Sequence, residues 1–487
     1  MKMLAALPVQ AAAEAAAESW STQMSMLKVR RVSKTRGHGA KCPGLRAMAV
    51  AVAGTAMLVA GCGAAPHGGS ATTAPPAAAV GATGDCDSVT TCYTPRQFQV
   101  AYGIRPLLDR GIDGRGQTVV LPELAESRLS PPLVSDLRPD MALFDRLFHL
   151  PAARLRVVST FPGPVSPWLA YAEEVLDAEM VHAVAPGAAI TIVLVKPASL
   201  DNTAAAVSAA VAALRLGMSH GGIISLSAAG QIGGEHCVTR AQVARVHAAL
   251  QAAASRHVTV VAASGDMGAA GYPCDVTDAL TGGRFPLPGR EVNLLAADPL
   301  VLAAGGTTLT ASHATGAYIG ETAWGLPYGT PGGSFQASGG GFSRLFARPA
   351  YQDGVPGTRA TRGVPDVAAD ASGHTGMTLA ISEGGETYIR NSGGTSATAP
   401  LWAGLIALAD QYADRHLGFV NPALDRIGRG PLYHRAFHDI TTGTNTVRFP
   451  PKTITGYQAA PGWDPVTGLG SPNAQALVPL LARYASP

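Results

Sequence analysis

Residues Ala189–Val195 read AITIVLV, a short and continuously apolar run that is rich in β-branched side chains. A run of this kind between helix-compatible stretches predicts a β-strand that is buried on both faces. Similar runs are QTVVL at 117–121, GIISLS at 222–227, VTVVAA at 258–263 and LVLAA at 300–304, and helix-compatible stretches cover 169–184, 203–216 and 239–256. Buried strands that alternate with helices predict a doubly wound, mainly parallel α/β sheet with helices on both faces. Functional residues of such sheets lie at the carboxyl ends of the strands.

The length and composition of the chain allow one large folded domain. The sequence has 487 residues, of which 47% are hydrophobic, and this is enough for an extensive core. No internal repeat or second boundary is evident, so we expect a single domain over residues 85–487. The formal net charge is only +3, and most of the positive excess precedes Cys62. Because the remainder is slightly acidic and has no basic stripe, nucleic acid is not an expected partner.

The first 61 residues have the features of a leader with an export signal. Residues 47–61, AMAVAVAGTAMLVAG, are apolar and follow a basic stretch, as in secretory signals. This run is too short for a membrane span, which takes roughly 20 residues. Its end, VAGC at 59–62, resembles the lipobox of bacterial lipoproteins and predicts a lipid on Cys62; an ordinary signal peptide is the alternative. We therefore expect an exported protein that is extracellular or anchored to the cell membrane only through this lipid.

The stretch that follows predicts a flexible tether. Residues 62–84 consist mainly of Ala, Pro, Gly, Ser and Thr, which cannot form a core. The cysteines after the tether are Cys86, Cys92, Cys237 and Cys274, and an even number suits disulfides in an oxidising compartment. We expect Cys86 to pair with Cys92 and Cys237 with Cys274, although the sequence leaves the other connectivities open.

The segment at 391–410, NSGGTSATAPLWAGLIALAD, carries the candidate nucleophile. Two glycines and Thr395 precede Ser396, and an apolar helix pattern follows, so Ser396 is predicted to lie in a tight turn at a helix N-terminus. Glycines allow a sharp turn, and free amides at a helix start stabilise developing negative charge. Gly-Thr-Ser with the downstream Pro400 is the nucleophile motif of subtilisins and sedolisins. A helix start that is merely capped by Ser or Thr is the alternative.

A serine nucleophile needs a base, and the stretch 172–189, AEEVLDAEMVHAVAPGAA, offers a pair of carboxylates. Glu173 and Asp177 are four residues apart and therefore lie on one face of the predicted helix. Burial and the proximity of like charges raise the pKa of at least one of them, which makes it a proton acceptor in acid.

Other ionisable residues on the same helix need a different interpretation. Glu174 and Glu179 are expected to be solvated. His182 is a rival base, because a subtilisin-like enzyme uses a histidine and works near neutral pH.

Together these motifs resemble the sedolisin family of serine-carboxyl peptidases, in which a Glu replaces the histidine base on a subtilisin-like fold. The resemblance rests on Glu-x-x-x-Asp followed by Ala-Pro-Gly, and on Gly-Thr-Ser with its Pro, and it extends from Tyr93 to the end of the chain. Other blocks similar to the family are YTP at 93–95, AYGI at 101–104, SGD at 264–266, GGT at 305–307, GGGFS at 339–343, RGVPD at 362–366, DI at 439–440, PGWDP at 461–465 and GLG at 468–470.

The resemblance implies a role for each site residue. Glu173 would take the proton from Ser396, and Asp177 would hold Glu173 in place. Asp266, protonated at low pH, would donate a hydrogen bond to the tetrahedral oxyanion, which ties the activity to acid. Glu123 matches a family position that supports the base through a hydrogen bond.

The resemblance also implies one structural calcium ion near the C-terminus. Calcium prefers hard oxygen ligands. The expected ligands are the side chains of Asp439 and Asp464 and the backbone carbonyls of Ile440, Ala460 and Gly462.

This chain departs from the family pattern at a few positions. Met267 follows Asp266 where the family usually has Ser, and Ala228 stands where a Trp is common; both changes are expected to reshape the substrate subsites. The family also carries a long folded propeptide, whereas only the predicted leader and tether precede Tyr93.

The sequence leaves the mode of action open between an endopeptidase and a tripeptidyl-peptidase. We expect a monomer that acts on proteins or peptides. The alternative from another class is a noncatalytic, lipid-tethered binding protein on the same scaffold, a pseudoprotease.

Overall fold

The computed structural model describes residues 92–124, 137–159, 171–195, 203–227, 233–272, 274, 289–325, 336–383, 386–449 and 452–485. The predicted leader at 1–61 and tether at 62–84 lie outside these ranges, as do Cys62, Cys86 and Ala228. The domain start at residue 85 therefore stays a prediction.

Strands and helices alternate along much of the described chain. The strands are β1 (Thr118–Leu124), β2 (Arg154–Ser159), β3 (Ala189–Val195), β4 (Ile223–Leu226), β5 (Thr259–Ala263), β6 (Leu302–Ala311), β7 (Tyr318–Ala323), β8 (Gly341–Ala347), β9 (Thr361–Val364), β10 (Val367–Asp370), β11 (Thr378–Glu383), β12 (Glu386–Asn391), β13 (Phe437–His438), β14 (Val447–Phe449), β15 (Lys452–Ile454) and β16 (Ser471–Pro472). The helices are α1 (Pro95–Ala101), α2 (Arg105–Leu108), α3 (Arg138–Phe148), α4 (Tyr171–Val184), α5 (Thr203–Gly217), α6 (Arg240–Ala254), α7 (Leu294–Ala297), α8 (Thr395–Ala413), α9 (Asn421–Gly428), α10 (Tyr433–Ala436) and α11 (Ala474–Tyr484).

An eight-stranded sheet forms the centre of the fold. Its strand order is β10-β6-β5-β4-β1-β3-β2, with β7 added to β6. Every pair along this path is parallel, and β7 runs antiparallel to β6. The AITIVLV run forms β3 with the predicted bounds, between β1 and β2. The predicted doubly wound, mainly parallel sheet is therefore confirmed.

Helices cover both faces of this sheet. Val119 and Leu121 of β1 belong to one apolar cluster, whereas Val120 between them belongs to another. Successive side chains of a strand point to opposite faces, so the two clusters mark the two faces. The first contains apolar residues of α4, α8 and α11, and the second those of α5 and α6.

Helix α8 is the central helix of the first face. It packs against α4 and α11 and contacts β4, β5 and β6. Almost every residue from Ala397 to Asp410 is buried, as expected of a helix that is apolar all round. The residues at its N-terminus are thereby fixed relative to the carboxyl ends of these strands.

One of the two expected disulfides lies within the described residues. Cys237 and Cys274 are bonded, with their Cα atoms 5.0 Å apart. The other expected pair includes Cys86, which lies outside those residues. None of the helices that the structure describes has the length and apolar character needed to cross a membrane.

Candidate active site

The predicted site residues come together at one edge of the central sheet. Glu123 lies near the end of β1, Ser227 directly follows β4, and Asp266 follows β5. These three strands are neighbours and parallel, so their carboxyl ends meet at the same edge. Ser396 reaches this edge from α8, and Glu173 and Asp177 reach it from α4.

Ser396 occupies the first turn of α8, as the sequence predicts. The residue before the helix, Gly394, has a φ of 74°, a conformation that favours glycine. A Cβ atom at Gly394 would also lie 2.7 Å from Asp266 Oδ2. The glycine therefore permits both the sharp turn and the close approach of Asp266 to the helix N-terminus.

Pro400 leaves the Ser396 carbonyl in this first turn without its usual helical hydrogen bond. Because proline has no N–H, it cannot donate to the carbonyl four residues earlier, which is that of Ser396. Ser227 Oγ lies 3.3 Å from this carbonyl oxygen. The residue that carries the nucleophile is thus also tied to the end of β4.

Glu173 lies in the first turn of α4 and accepts a hydrogen bond from the Ser396 side chain. Burial raises the pKa of Glu173 to about 7, while the hydrogen bond from Ser396 acts in the opposite direction. The negative charge of Asp266 raises the Glu173 pKa further. Glu173 is therefore a half-buried carboxyl in direct contact with the candidate nucleophile, where a general base must be.

Asp177 lies one helical turn after Glu173 and contacts two further groups. Its carboxylate is fully buried and lies 2.7 and 2.8 Å from Ser227 Oγ. A hydrogen bond also joins Asp177 to Glu123. Burial raises the pKa of both carboxyls well above the ordinary range, and Coulomb repulsion adds to this effect. The hydrogen bond raises the pKa of Glu123 and lowers that of Asp177, as expected when the Glu123 carboxyl donates this hydrogen bond to the Asp177 carboxylate.

Asp266 is held against the N-terminus of α8. Its Oδ1 accepts hydrogen bonds from the backbone amide of Thr395 at 2.7 Å and from the Thr395 hydroxyl at 2.8 Å. The Thr395 hydroxyl accepts in turn from the Gly265 amide at 2.9 Å. Burial raises the pKa of Asp266, and the Thr395 and Tyr272 hydrogen bonds lower it. Asp266 is thus placed at the helix N-terminus that carries the candidate nucleophile Ser396, with one oxygen already engaged.

The sequence patterns do not mark Ser227, Thr395 or Tyr272 as site residues. Ser227 was visible as the last residue of a predicted strand, and Thr395 as part of the Gly-Thr-Ser motif. For Tyr272 the sequence offers no periodicity or motif, because its contact with Asp266 depends on how the intervening turn folds.

The expectation that Glu174 and Glu179 are solvated was wrong. Their exposed fractions are 3% and 0%. Glu179 accepts a hydrogen bond from the Ala380 amide at 2.9 Å. Burial raises the pKa of Glu174 to about 7, and that of Glu179 well above its ordinary range. Helix α4 is covered on nearly all sides by α8, α1, α3 and the sheet, so acids on its other faces are buried as well.

His182, the rival base, is buried in contacts away from Ser396. Its ring is fully buried, and Nε2 lies 2.9 Å from Asp145 Oδ1 and 2.9 Å from the Pro151 carbonyl oxygen. The Ser396 side chain is paired instead with Glu173.

The predicted calcium ligands lie in two loops that contact each other. The amide of Gly462 donates to both oxygens of Asp439, each at 3.1 Å. Asp464 is buried, and it accepts hydrogen bonds from the amides of Ala460, Val466 and Thr467 and from the Thr467 hydroxyl. All of these donors are neutral, so they do not cancel the two negative charges. Two carboxylates in loops that contact each other offer hard oxygen donors of the kind that Ca²⁺ prefers.

Comparison with solved structures places the fold among the subtilisin-like α/β proteins. A structure of Pseudomonas sedolisin, described as a serine-carboxyl proteinase complexed with two molecules of pseudo-iodotyrostatin, aligns with a TM-score of 0.64 and 24% sequence identity. The alignment covers 82% of this chain and 100% of that chain.

Curated relatives then define the family. Kumamolisin from Bacillus sp. (strain MN-32) is 35% identical over 409 residues, which cover 81% of this chain and 65% of kumamolisin. Sedolisin from Pseudomonas sp. (strain 101) is 34% identical over 219 residues, which cover 45% of this chain and 34% of sedolisin. The chain belongs to the sedolisin family. It spans less than two thirds of the length of either relative, and comparison with models of known protein families gave no match.

Proposed function

We propose that the chain is a serine peptidase of the sedolisin type that hydrolyses peptide bonds in proteins or peptides under acidic conditions. The observation that carries this proposal is the hydrogen bond between Ser396 and the half-buried Glu173. Asp266 is near enough to influence the Glu173 pKa. A nucleophile, a base and a second acid at one edge of the sheet are the parts that acyl transfer requires.

In the proposed mechanism, Ser396 Oγ attacks the scissile carbonyl carbon while Glu173 takes the hydroxyl proton. When the C–N bond breaks, Glu173 gives this proton to the leaving amine. A water molecule then attacks the acyl-enzyme, its proton passes to Glu173, and Ser396 leaves with that proton. Asp177 orients Glu173 from the same helix face, and protonated Glu123 fixes Asp177.

The pH dependence follows from two carboxyls with opposite requirements. Glu173 must be ionised to accept a proton, and Asp266 must be protonated to donate a hydrogen bond to the oxyanion. Burial raises the pKa of both groups, and repulsion between their charges favours a state in which the pair holds one proton. The active state has this proton on Asp266. Loss of it as the pH rises ends the activity.

We also propose a structural calcium ion in the loops around Asp439 and Asp464. The two side chains would bind it together with the carbonyls of Ile440, Ala460 and Gly462. The ion would supply positive charge that neutralises the two carboxylates and thereby joins the two loops. It has no proposed part in the chemistry.

Export with a lipid on Cys62 remains a proposal that rests on the sequence. The substrate class, a protein or peptide, is supported by the names of the relatives, which include tripeptidyl-peptidases as well as kumamolisin. The pseudoprotease alternative gains no support from these comparisons, and all the proposed catalytic positions carry the required residue types.

The test is an activity profile of the full chain, purified with calcium present. Cleavage of an unfolded protein substrate is measured from about pH 2.5 to 8 for the wild type, Ser396→Ala and Glu173→Gln. We expect activity in acid that is lost in both variants, because one lacks the nucleophile and the other lacks the base.

One control variant and two contrary outcomes make the test decisive. His182→Gln tests the rival base, and its activity profile is expected to keep its shape because His182 does not contact Ser396. A neutral optimum that survives Glu173→Gln would contradict the proposed mechanism. A folded wild-type protein that cleaves nothing at any pH would favour the binding-protein alternative.

A further inference from the structure

We propose that Tyr272 is a positioning residue of the oxyanion site, which holds the Asp266 carboxyl in the orientation that donates its hydrogen to the substrate oxyanion. This inference rests on the proposed peptidase function. It adds a residue that acts through Asp266 and does not itself react.

The Tyr272 hydroxyl contacts Asp266 at two points. It accepts a hydrogen bond from the Asp266 backbone amide at 3.2 Å, and it is hydrogen-bonded to the Asp266 carboxyl. One hydroxyl therefore fixes the main chain and the side chain of the same residue. The Tyr272 pKa is raised well above its ordinary value, by burial and by the charges of Asp266 and Glu173, so the hydroxyl keeps its hydrogen.

Tyr272 is itself held in place by its own backbone. Its amide donates to Asn293 Oδ1 at 3.2 Å, and its carbonyl accepts from the Gly234 amide at 3.1 Å. Asn293 also donates to the Ser264 carbonyl at 2.8 Å, which belongs to the turn that carries Asp266. The ring packs over this turn, since a Cβ atom at Gly265 would lie 3.1 Å from Tyr272 Cε2. The phenol is thus anchored before any substrate binds.

The two carboxyl oxygens of Asp266 have different roles: Oδ1 accepts hydrogen bonds from Thr395, and Oδ2 is proposed to carry the proton. Thr395 donates twice to Oδ1, so a proton on this carboxyl is placed on Oδ2. Thr395 alone allows the carboxyl to rotate about its side-chain bonds. The Tyr272 hydroxyl adds a contact from a second segment of the chain, so the carboxyl is held by two segments instead of one.

Loss of the Tyr272 hydroxyl should shift the pKa of Asp266 in one direction, which the contacts of Asp266 define. Among the described residues, the titratable groups that face Asp266 are Glu173 on α4 and Tyr272 itself; Thr395 on α8 is neutral. The Tyr272 hydrogen bond lowers the Asp266 pKa. Removal of the hydroxyl therefore raises this pKa, and Asp266 keeps its proton to a higher pH.

The experiment compares the wild type with Tyr272→Phe in the full chain with calcium. We expect kcat to fall about tenfold with KM within about twofold, as for loss of one hydrogen bond in the transition state. The alkaline limb of kcat/KM moves to higher pH. The proposal is overturned if activity falls by the same factor at every pH and the alkaline limb stays in place, or if this limb moves to lower pH.

Tyr102→Phe is the matched control. The Tyr102 hydroxyl also bridges an amide and a carboxyl, since it accepts from the Asp370 amide at 2.8 Å and donates to Glu321 at 2.7 Å. Its removal is expected to lower thermal stability and to leave the alkaline limb of activity unchanged. A shift in the control equal to that in Tyr272→Phe would show that the effect is not specific to Asp266.

A second variant covers the case in which Tyr272→Phe does not fold. 3,5-Difluorotyrosine at position 272 keeps the shape and the hydroxyl but makes it a stronger donor. The alkaline limb should then move to lower pH, opposite to the Phe variant, and a limb that stays in place contradicts the proposal.

A peptide aldehyde probe separates this inference from the proposed function. Ser396 Oγ adds to the aldehyde carbon and its proton passes to Glu173, which leaves an oxyanion on the aldehyde oxygen. We expect Tyr272→Phe to bind the aldehyde about tenfold more weakly and the corresponding peptide alcohol equally well. If the wild type is active and binds the aldehyde but Tyr272→Phe binds it equally tightly, only the role of Tyr272 is wrong. If the wild type neither cleaves substrate nor binds the aldehyde, the proposed function fails.

Discussion

The hydroxyl of Ser227 lies 2.8 Å from Oδ1 and 2.7 Å from Oδ2 of Asp177, so a single side chain at the end of β4 contacts both oxygens of the residue proposed to orient the base. The same Oγ lies 3.3 Å from the carbonyl of Ser396. Three elements, α4, β4 and α8, are therefore joined at one atom.

We expect Ser227→Ala to lower kcat about tenfold, because a hydrogen bond to a charged group contributes about 1.5–3 kcal/mol. Without this bond the pKa of Asp177 rises further, since the Ser227 hydrogen bond lowers it. Steady-state kinetics at the pH optimum measures the effect. Ser208→Ala, which removes an exposed hydroxyl on α5 that donates to the Ala204 carbonyl, is the control. Equal activity of both variants would show that Ser227 has no part in the site.

Gly394→Ala is expected to reduce kcat/KM by roughly a hundredfold, the scale of a 1 Å misplacement of reacting groups. The added Cβ would meet Asp266 Oδ2 at 2.7 Å, in a backbone conformation with φ of 74°. Either the carboxyl or the N-terminus of α8 must shift. Gly320→Ala is the matched control, because nothing lies within 4 Å of a Cβ atom there. Circular dichroism distinguishes a local defect from unfolding, and full activity of Gly394→Ala would contradict the geometry.

Glu174→Gln is expected to stabilise the protein at neutral pH but not in acid. The pKa of this buried carboxyl is about 7 in the folded state, against an ordinary value of 4.5. The folded state therefore binds the Glu174 proton more tightly than the unfolded state does. The stabilisation of the folded state by this proton is complete below pH 4.5 and is lost as the pH rises through about 7. The full difference corresponds to about 3 kcal/mol of unfolding free energy.

Urea unfolding at about pH 4 and pH 7.5 measures this effect. Asp109→Asn, which changes an exposed carboxylate, is the control. A Glu174→Gln variant that is no more stable than the wild type at the higher pH would show that the ionised carboxylate is accommodated in the folded protein.

Chelation of calcium is expected to lower the thermal midpoint of unfolding by several degrees, and added Ca²⁺ should restore it. Asp464→Asn should remove this calcium dependence, because one of the two proposed side-chain ligands becomes neutral. Mg²⁺ is the control ion, since it prefers smaller octahedral sites. If the midpoint is insensitive to chelator and to Ca²⁺, the proposed site does not bind calcium.

Much of the fold could be predicted because its strands are apolar on both faces. The run AITIVLV stands out from its surroundings, and β3 has the predicted bounds. Strand β2 was missed because it lies at the edge of the sheet, where exposed Arg154 and Arg156 alternate with partly buried apolar residues. An edge strand needs only one covered face, so it lacks the continuous apolar pattern.

The candidate site was only partly accessible from sequence. Glu173, Asp177 and Ser396 stand in motifs whose spacing has a chemical meaning. The burial of Glu174 and the contact of Tyr272 with Asp266 depend on which segments pack against them. Such contacts are properties of the tertiary structure, and a single sequence carries no local pattern for them.

The hydrogen bonds that assemble the site join distant parts of the chain. Asp177 and Ser227 are 50 residues apart, Asp266 and Thr395 are 129 apart, and Ser227 and Ser396 are 169 apart. Contacts of this range form only after the entropy of closing long loops has been overcome. During refolding from denaturant, recovery of activity should therefore lag behind recovery of the helical circular dichroism signal. Throughout that interval the unpaired apolar strands are open to aggregation, so the yield of active protein should fall as the protein concentration rises.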